Sequence, residues 1–231
     1  MTARPWAVVC DFDGTATVDD TADALSIEYI GYDRWKKVND AFHGGEITFQ
    51  GLLREIFEPI GASPGDVRAF AQAHVRFRPG FEQLLASCRR GGVPFILASG
   101  GLDIYIRPAL EKLPRTLTDG LDIRANHAEY VPGGLALTFP YQHAKGACGT
   151  CGSCKGAVVK ELQARGHQVI SVGDGNADRC MAGVADVLFA RGRLLEWCRD
   201  AGIACTPFET LHPVAARLSR PHRLEICGAR R

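Results

Sequence analysis

The run WAVVCDFDGT, residues 6–15, sets an unbroken apolar stretch against two aspartates and a glycine. Trp6–Cys10 reads as a short central strand buried on both faces, and it stops at Asp11. Asp11 and Asp13 flank a single residue, so on a continuing strand their side chains point the same way. Two carboxylates this close can hold a divalent cation, or divide the work of nucleophile and acid/base. Gly14 permits the turn that follows, where backbone N–H groups can face an anion. Taken alone, the pair reads equally well as solvated turn aspartates, so the rest of the chain has to decide.

The same design recurs twice. VPFILASGG (93–101) and HQVISVGDGNAD (167–178) are apolar runs that end in small polar residues and glycines. ADVLFA (185–190) and GIACTP (202–207) are shorter versions. Helical patterns lie between them, at Gly80–Arg90, Ile104–Leu113, Lys155–Arg165 and Leu194–Ala201. Apolar strands alternating with helices predict an α/β fold with a parallel central sheet covered on both faces. In such sheets chemistry gathers at the carboxyl ends of the strands, where all three polar clusters fall.

Two regions break the alternation. Residues 19–77 hold no good strand but several amphipathic stretches, and read as a helical cap inserted after the first strand. The core is then residues 1–18 and 78–231. Further on, LDIRANHAEYVPGGLALTFP (121–140) has a Pro-Gly-Gly turn between two strand-like runs and reads as a small β-hairpin.

Bulk properties exclude several functions. The 231 residues suffice for one sizeable core with an insertion, and the formal net charge of +1 makes no electrostatic case for nucleic acid or a membrane surface. The basic end RLSRPHRLEICGARR lacks interleaved aromatics and reads as a solvated tail. No apolar run is long enough to span a bilayer, and the first residues do not resemble a secretory signal. Nine cysteines, most of them scattered through apolar surroundings, fit a reducing, cytoplasmic setting. Cys10 and Cys205 read as small core residues.

The second strand end offers the Ser99 hydroxyl and the N–H groups around Gly100 and Gly101, donors suited to phosphate oxygens. Lys155 opens a helix after a glycine-rich loop, where it can neutralise phosphate or an acyl-phosphate. A lone lysine otherwise reads as a solvated surface residue. Asp174 and Asp178 close the third cluster. An oxygen-rich site of this kind suits Mg²⁺, which takes few carboxylates and keeps several waters.

In this order and at these distances, DFDGT, ASG, Lys155 and GDGNAD resemble the haloacid-dehalogenase superfamily of phosphohydrolases. The resemblance implies a Rossmann-like core with a cap of the type inserted after the first strand. It implies Asp11 as the nucleophile that becomes aspartyl-phosphate, and Asp13 as the acid/base for leaving group and water. Ser99 and Gly100 would bind the substrate phosphate, and Lys155 would stabilise nucleophile and phosphate. Asp11, the Asp13 backbone carbonyl and Asp174 would hold Mg²⁺, with Asp178 positioning the metal's surroundings. Within the superfamily, VCDFDGTAT, PFILASGGLD, RANHAEY, HAKGACGTCGSCK and LFARGRLLEWC resemble the methionine-salvage enol-phosphate phosphatases and, in the cysteine loop, the phosphoethanolamine/phosphocholine phosphatases.

The expected partner is therefore a small phosphorylated metabolite. Phosphoserine-, phosphocholine- and phosphoethanolamine-type phosphatases, a phosphomutase, and an inactive regulatory or binding protein of the same fold remain alternatives. The oligomeric state is open. In the cap, Asp20, Trp35, Phe42, Arg54 and Phe57 are possible pocket residues, with core packing the alternative for the aromatics. Asn126 and His127 precede the hairpin turn and can face the site or simply be hydrogen-bonded structural residues. His143, Cys148, Cys151 and Cys154 can supply soft ligands to a structural Zn²⁺. Their spacing also fits a redox loop, or thiols packed as small apolar groups.

Overall fold

A computed structural model describes residues 4–142 and 152–219. The first strand, β1 (Trp6–Cys10), is completely buried. Trp6, Val8 and Cys10 join the large apolar cluster on one face, and Ala7 and Val9 join a second cluster on the other. Two-sided burial is the reason the run lacks alternation.

After a tight turn over Phe12–Ala16 come α1 (Thr21–Ile30), α2 (Tyr32–His43), α3 (Phe49–Phe57) and α4 (Pro64–His74). Their starts are written locally. The Asp20 side chain accepts from Asp23 N, Thr48 accepts from Gly51 N, and Ser63 and Asp66 form a reciprocal capping box that spans Pro64 at the first helical position. Leu25, Leu52, Leu53, Ile56, Phe57, Val67 and Phe70 from these helices belong to the same cluster as Val8 and Cys10.

The chain continues through α5 (Phe81–Arg90), β2 (Phe95–Leu102), α6 (Asp103–Leu110), the short α7 (Arg115–Thr118), β3 (Asp122–Val131) and β4 (Gly134–Thr138). Next come α8 (Lys155–Ala164), β5 (Gln168–Gly173), a turn at Asn176–Asp178, α9 (Arg179–Ala182), β6 (Val187–Ala190), α10 (Gly192–Asp200), β7 (Thr206–Pro207) and α11 (His212–Leu218).

The seven strands form one sheet in the order β4-β3-β2-β1-β5-β6-β7. Every pairing is parallel except β3–β4. The order reverses at β1, whose neighbours are β2 on one side and β5 on the other. Side chains at the carboxyl ends of those three strands therefore converge.

Two expectations need refinement. The hairpin is real, with Val131 opposite Gly134 across Pro132–Gly133, and Gly133 takes φ +84° in the position where that turn needs glycine. It is no appendage, however, because β3 also pairs in parallel with β2 and carries the hairpin into the main sheet. The strand reading of the aspartate pair also changes. The strand ends at Cys10, and Asp13 sits in the turn at φ −68°, ψ 128°, ahead of Gly14 at φ +71°.

Candidate active site

That turn aims the first cluster. A β-carbon on Gly14 would collide with the Asp174 carboxylate, so only glycine lets the loop after β1 pass so close to the end of β5. The loop is also clamped from behind. Buried Arg78 donates from Nε to Thr15 O at 2.8 Å, and from Nη2 to Gly14 O at 2.7 Å and Thr17 O at 2.9 Å. Arg191 Nη1 adds a bond to Gly14 O at 2.9 Å. These guanidinium groups satisfy carbonyls that the non-helical turn leaves without ladder partners.

Asp11, Asp174 and Asp178 each place a carboxylate oxygen so that all three lie within 4.8 Å of one another. Lys155, the first residue of α8, is buried among them. Its Nζ lies 2.6 Å from Asp11 Oδ1 and 2.5 Å from Asp178 Oδ1. Burial alone would lower the lysine's pKa, but Asp11 and Asp178 outweigh it and hold the ammonium charged. Asp11 is pushed well above the usual carboxylate range by burial and then by Asp178, while Lys155 pulls it back. Asp174 is raised by burial, opposed by the Thr15 hydroxyl that donates to its Oδ1 at 2.7 Å.

Three carboxylates around one ammonium leave the cluster short of positive charge, which suits a divalent cation. The oxygens are not equivalent. Asp178 spends Oδ1 on Lys155, and Oδ2 accepts from Asp174 N at 2.9 Å and Gly175 N at 3.0 Å. Both its oxygens thus serve protein donors, which leaves Asp11 and Asp174 as the better cation ligands.

Asp13 is tied separately. Its Oδ1 accepts from Thr21 N at 2.9 Å, and its Oδ2 accepts from the Tyr105 hydroxyl at 2.7 Å. Burial raises its pKa to about 6 against those hydrogen bonds. Asp20 reaches solvent, yet protein encloses it on most sides. Burial and the nearby Asp13 push its carboxyl up as well.

The second cluster is built on a bulge. Along β2 the register passes from Ala98↔Arg124 to Leu102↔Asn126, so four steps on β2 oppose two on β3. Ser99, Gly100 and Gly101 occupy the surplus, and Ser99 Oγ accepts from Gly101 N at 2.9 Å. A β-carbon on Gly100 would meet the Phe49 ring of α3 at 3.1 Å. One on Gly101 would run into the Tyr105 hydroxyl and come within 3.0 Å of Asp13 Oδ2.

The other sequence candidates have plainer positions. Phe57 stacks on Tyr105 at 6.4 Å in the core, Arg54 pairs with Glu58 and covers the Phe139 ring, and Trp35 donates to Asp23 at 2.8 Å. His143, Cys148 and Cys151 lie outside the described residues. Cys154 is buried and is the residue that precedes α8. Among the described residues the only metal-sized acidic or soft-ligand cluster is the aspartate one, so the structural-zinc reading gains no support. Thr15, Tyr105 and Arg78 were not singled out from the sequence. Thr15 is inside the quoted motif, but nothing local marks a tyrosine six residues after Ser99, or an arginine in FRPG, as a partner of the site.

The family description of haloacid dehalogenase-like hydrolases matches residues 8–183. A 2-hydroxy-3-keto-5-methylthiopentenyl-1-phosphate phosphatase of Exiguobacterium sibiricum is 30% identical over 219 residues, covering 94% of this chain and 97% of its own. One of the same name from Bacillus pumilus is 28% identical over 214 residues, covering 92% and 90%. Among solved structures, a phospho-aspartyl intermediate analogue of phosphoserine phosphatase superposes with a TM-score of 0.66 over 94% of this chain and all of its own. At 20% identity it speaks for the fold. Among the described residues, no helix is long and apolar enough to cross a membrane.

Proposed function

Because the chain belongs to the haloacid dehalogenase-like hydrolase family, we propose that it is a Mg²⁺-dependent phosphomonoesterase working through an aspartyl-phosphate on Asp11. We propose as its substrate the enol-phosphate for which its relatives are named, 2-hydroxy-3-keto-5-methylthiopentenyl-1-phosphate. The observation that carries the chemistry is the pairing of two differently held carboxylates, Asp11 against Lys155 and Asp13 against Tyr105. The substrate reading rests on relatives matched over nearly their whole length.

The Asp11 and Asp174 carboxylates and the Asp13 carbonyl are the groups that would hold the cation. When bound, it supplies positive charge beside Asp11 and the substrate phosphate, which repel one another without it. Asp11 attacks phosphorus through a carboxylate oxygen. The bond to the leaving oxygen breaks, and Asp13 gives that oxygen its proton. Ionised Asp13 then takes a proton from water, the hydroxide displaces phosphate from Asp11, and both carboxyls return to their starting states. A carboxyl titrating near 6 suits both halves, since it holds and releases a proton at ordinary pH. Lys155 keeps Asp11 oriented and favours its ionised form against burial, and the Ser99 hydroxyl with the Gly100 N–H receives the phosphate oxygens.

Residues 19–77 are proposed as the cap over a core of 1–18 and 78–231. Thr21, whose N–H bonds Asp13, Asp20 beside it at the start of α1, and Phe49 over Gly100 are the groups by which it approaches the reacting centre. The test is phosphate release with Mg²⁺ over a panel holding the enol-phosphate, phosphoserine, phosphocholine and phosphoethanolamine, with Asp11→Asn as control. Preference for the enol-phosphate is expected. Preference for another ester reassigns the substrate, and full activity in Asp11→Asn removes the mechanism.

A further inference from the structure

Where β2 bulges, its carbonyls lose the partners that a regular ladder would supply. Asn126, the β3 residue at which the ladder resumes, is completely buried. Its Nδ2 donates to Gly100 O at 2.7 Å, so a side-chain amide stands where a backbone N–H would otherwise be. Its Oδ1 has no hydrogen-bond partner among the described residues, which leaves the Gly100 carbonyl to set the amide's orientation. A second clamp lies just beyond, where Asp103 accepts from Ala128 N at 3.2 Å and pairs with His127 Nδ1 at 2.7 Å. The two clamps hold both ends of Gly100–Asp103 against β3.

The other side of Asn126 touches the segment that leads to Lys155. A β-carbon on Gly152 would sit 2.7 Å from Nδ2 and 3.0 Å from Oδ1. The following Ser153 donates to Arg124 O at 3.3 Å, and Lys155 begins α8 two residues later. The amide is thus packed between the Ser99–Gly101 bulge and the approach to the lysine.

We infer that Asn126 is a positioning residue for phosphate recognition, holding the Gly100–Gly101 peptide, whose N–H bonds Ser99 Oγ, so that the Ser99 hydroxyl keeps one geometry relative to Lys155. The inference rests on the phosphatase reading and adds a residue to it. Among the described residues Asn126 makes no hydrogen bond to the aspartate cluster or the proposed cation ligands. Its loss should therefore weaken phosphate binding and spare cation binding, whereas a general packing role would weaken both.

The test uses the full chain with Mg²⁺ and inorganic phosphate as the probe, bound in a calorimeter. Asn126→Asp sets an oxygen against the Gly100 carbonyl, and Asn126→Ser is too short to reach it. Gly152→Ala pushes on the amide while leaving Asn126 in place, and it serves as well where an Asn126 variant does not fold. Each folded variant is expected to lose at least about tenfold in phosphate affinity, to show the same loss in KM more than in kcat, and to keep its Mg²⁺ dependence within about twofold of the parent. Unchanged phosphate affinity overturns the inference, as does an equal loss of phosphate and Mg²⁺ binding. Wild-type protein that neither binds phosphate nor hydrolyses the ester panel would instead fail the phosphatase reading itself.

Discussion

Lys155 Nζ sits 2.6 Å from Asp11 Oδ1, with both side chains nearly sealed from solvent. Burying a charge pair costs desolvation energy, and removing one member strands the other. Here the ammonium also serves Asp178, so its loss strands two carboxylates.

Lys155→Met should therefore destabilise the metal-free protein by roughly 3–5 kcal/mol despite its similar volume, and lower turnover at least about a hundredfold. Urea unfolding and phosphate release measure the two effects. A stability within about 1 kcal/mol of wild type would mean that the ion pair is not formed in solution.

Asp13 gives a pH signature. Its folded-state pKa, about 6, lies above the ordinary 3.8. Its contribution to stability is therefore fully present below the unfolded value and is lost as pH rises through about 6. Asp13→Asn does not titrate. Wild-type stability relative to that variant should fall by roughly 2–3 kcal/mol between pH 4 and 6.5. Urea titrations with chelator present read this directly, and a difference that grows with pH contradicts the burial argument.

The Tyr105 hydroxyl bonds the ionised form of Asp13, so it lowers the carboxyl's pKa against burial. Tyr105→Phe should displace the pH–rate profile to higher pH, with activity at pH 6 falling more than activity at pH 8. A profile that only scales down uniformly would show that the hydroxyl has no hold on Asp13.

Thr15 orients Asp174 through a 2.7 Å hydrogen bond. Thr15→Val keeps the shape and loses the donor. The Mg²⁺ concentration needed for half-maximal activity should rise by about 10–100-fold, with turnover recovered at saturating Mg²⁺. Chelation should abolish wild-type activity, and added Mg²⁺ should restore it. Activity insensitive to chelator would remove the cation from the scheme.

Much of this protein can be read along the chain, because the features involved are local. The apolar run 6–10 is continuous since both faces of β1 are covered, and the glycines and carboxylates after β1, β2 and β5 mark strand ends that any parallel sheet brings to one edge. Caps such as Ser63–Asp66 and the Pro132–Gly133 turn are likewise written within a few residues.

Other features depend on distance in space. Reading Asp11 and Asp13 as strand neighbours missed that the chain turns at Phe12–Ala16, which gives one carboxyl to Lys155 and the other to Tyr105. Arg78 among the loop carbonyls, Thr15 on Asp174 and Asn126 beneath Gly100 join residues far apart in the chain. Residue types and spacing are enough to identify the reacting groups, since that chemistry needs particular side chains at strand ends. The hydrogen bond each group accepts, and so its charge and aim, follows from how β1, β2, β3, β5 and α8 pack, and packing is not a local property of any stretch of sequence.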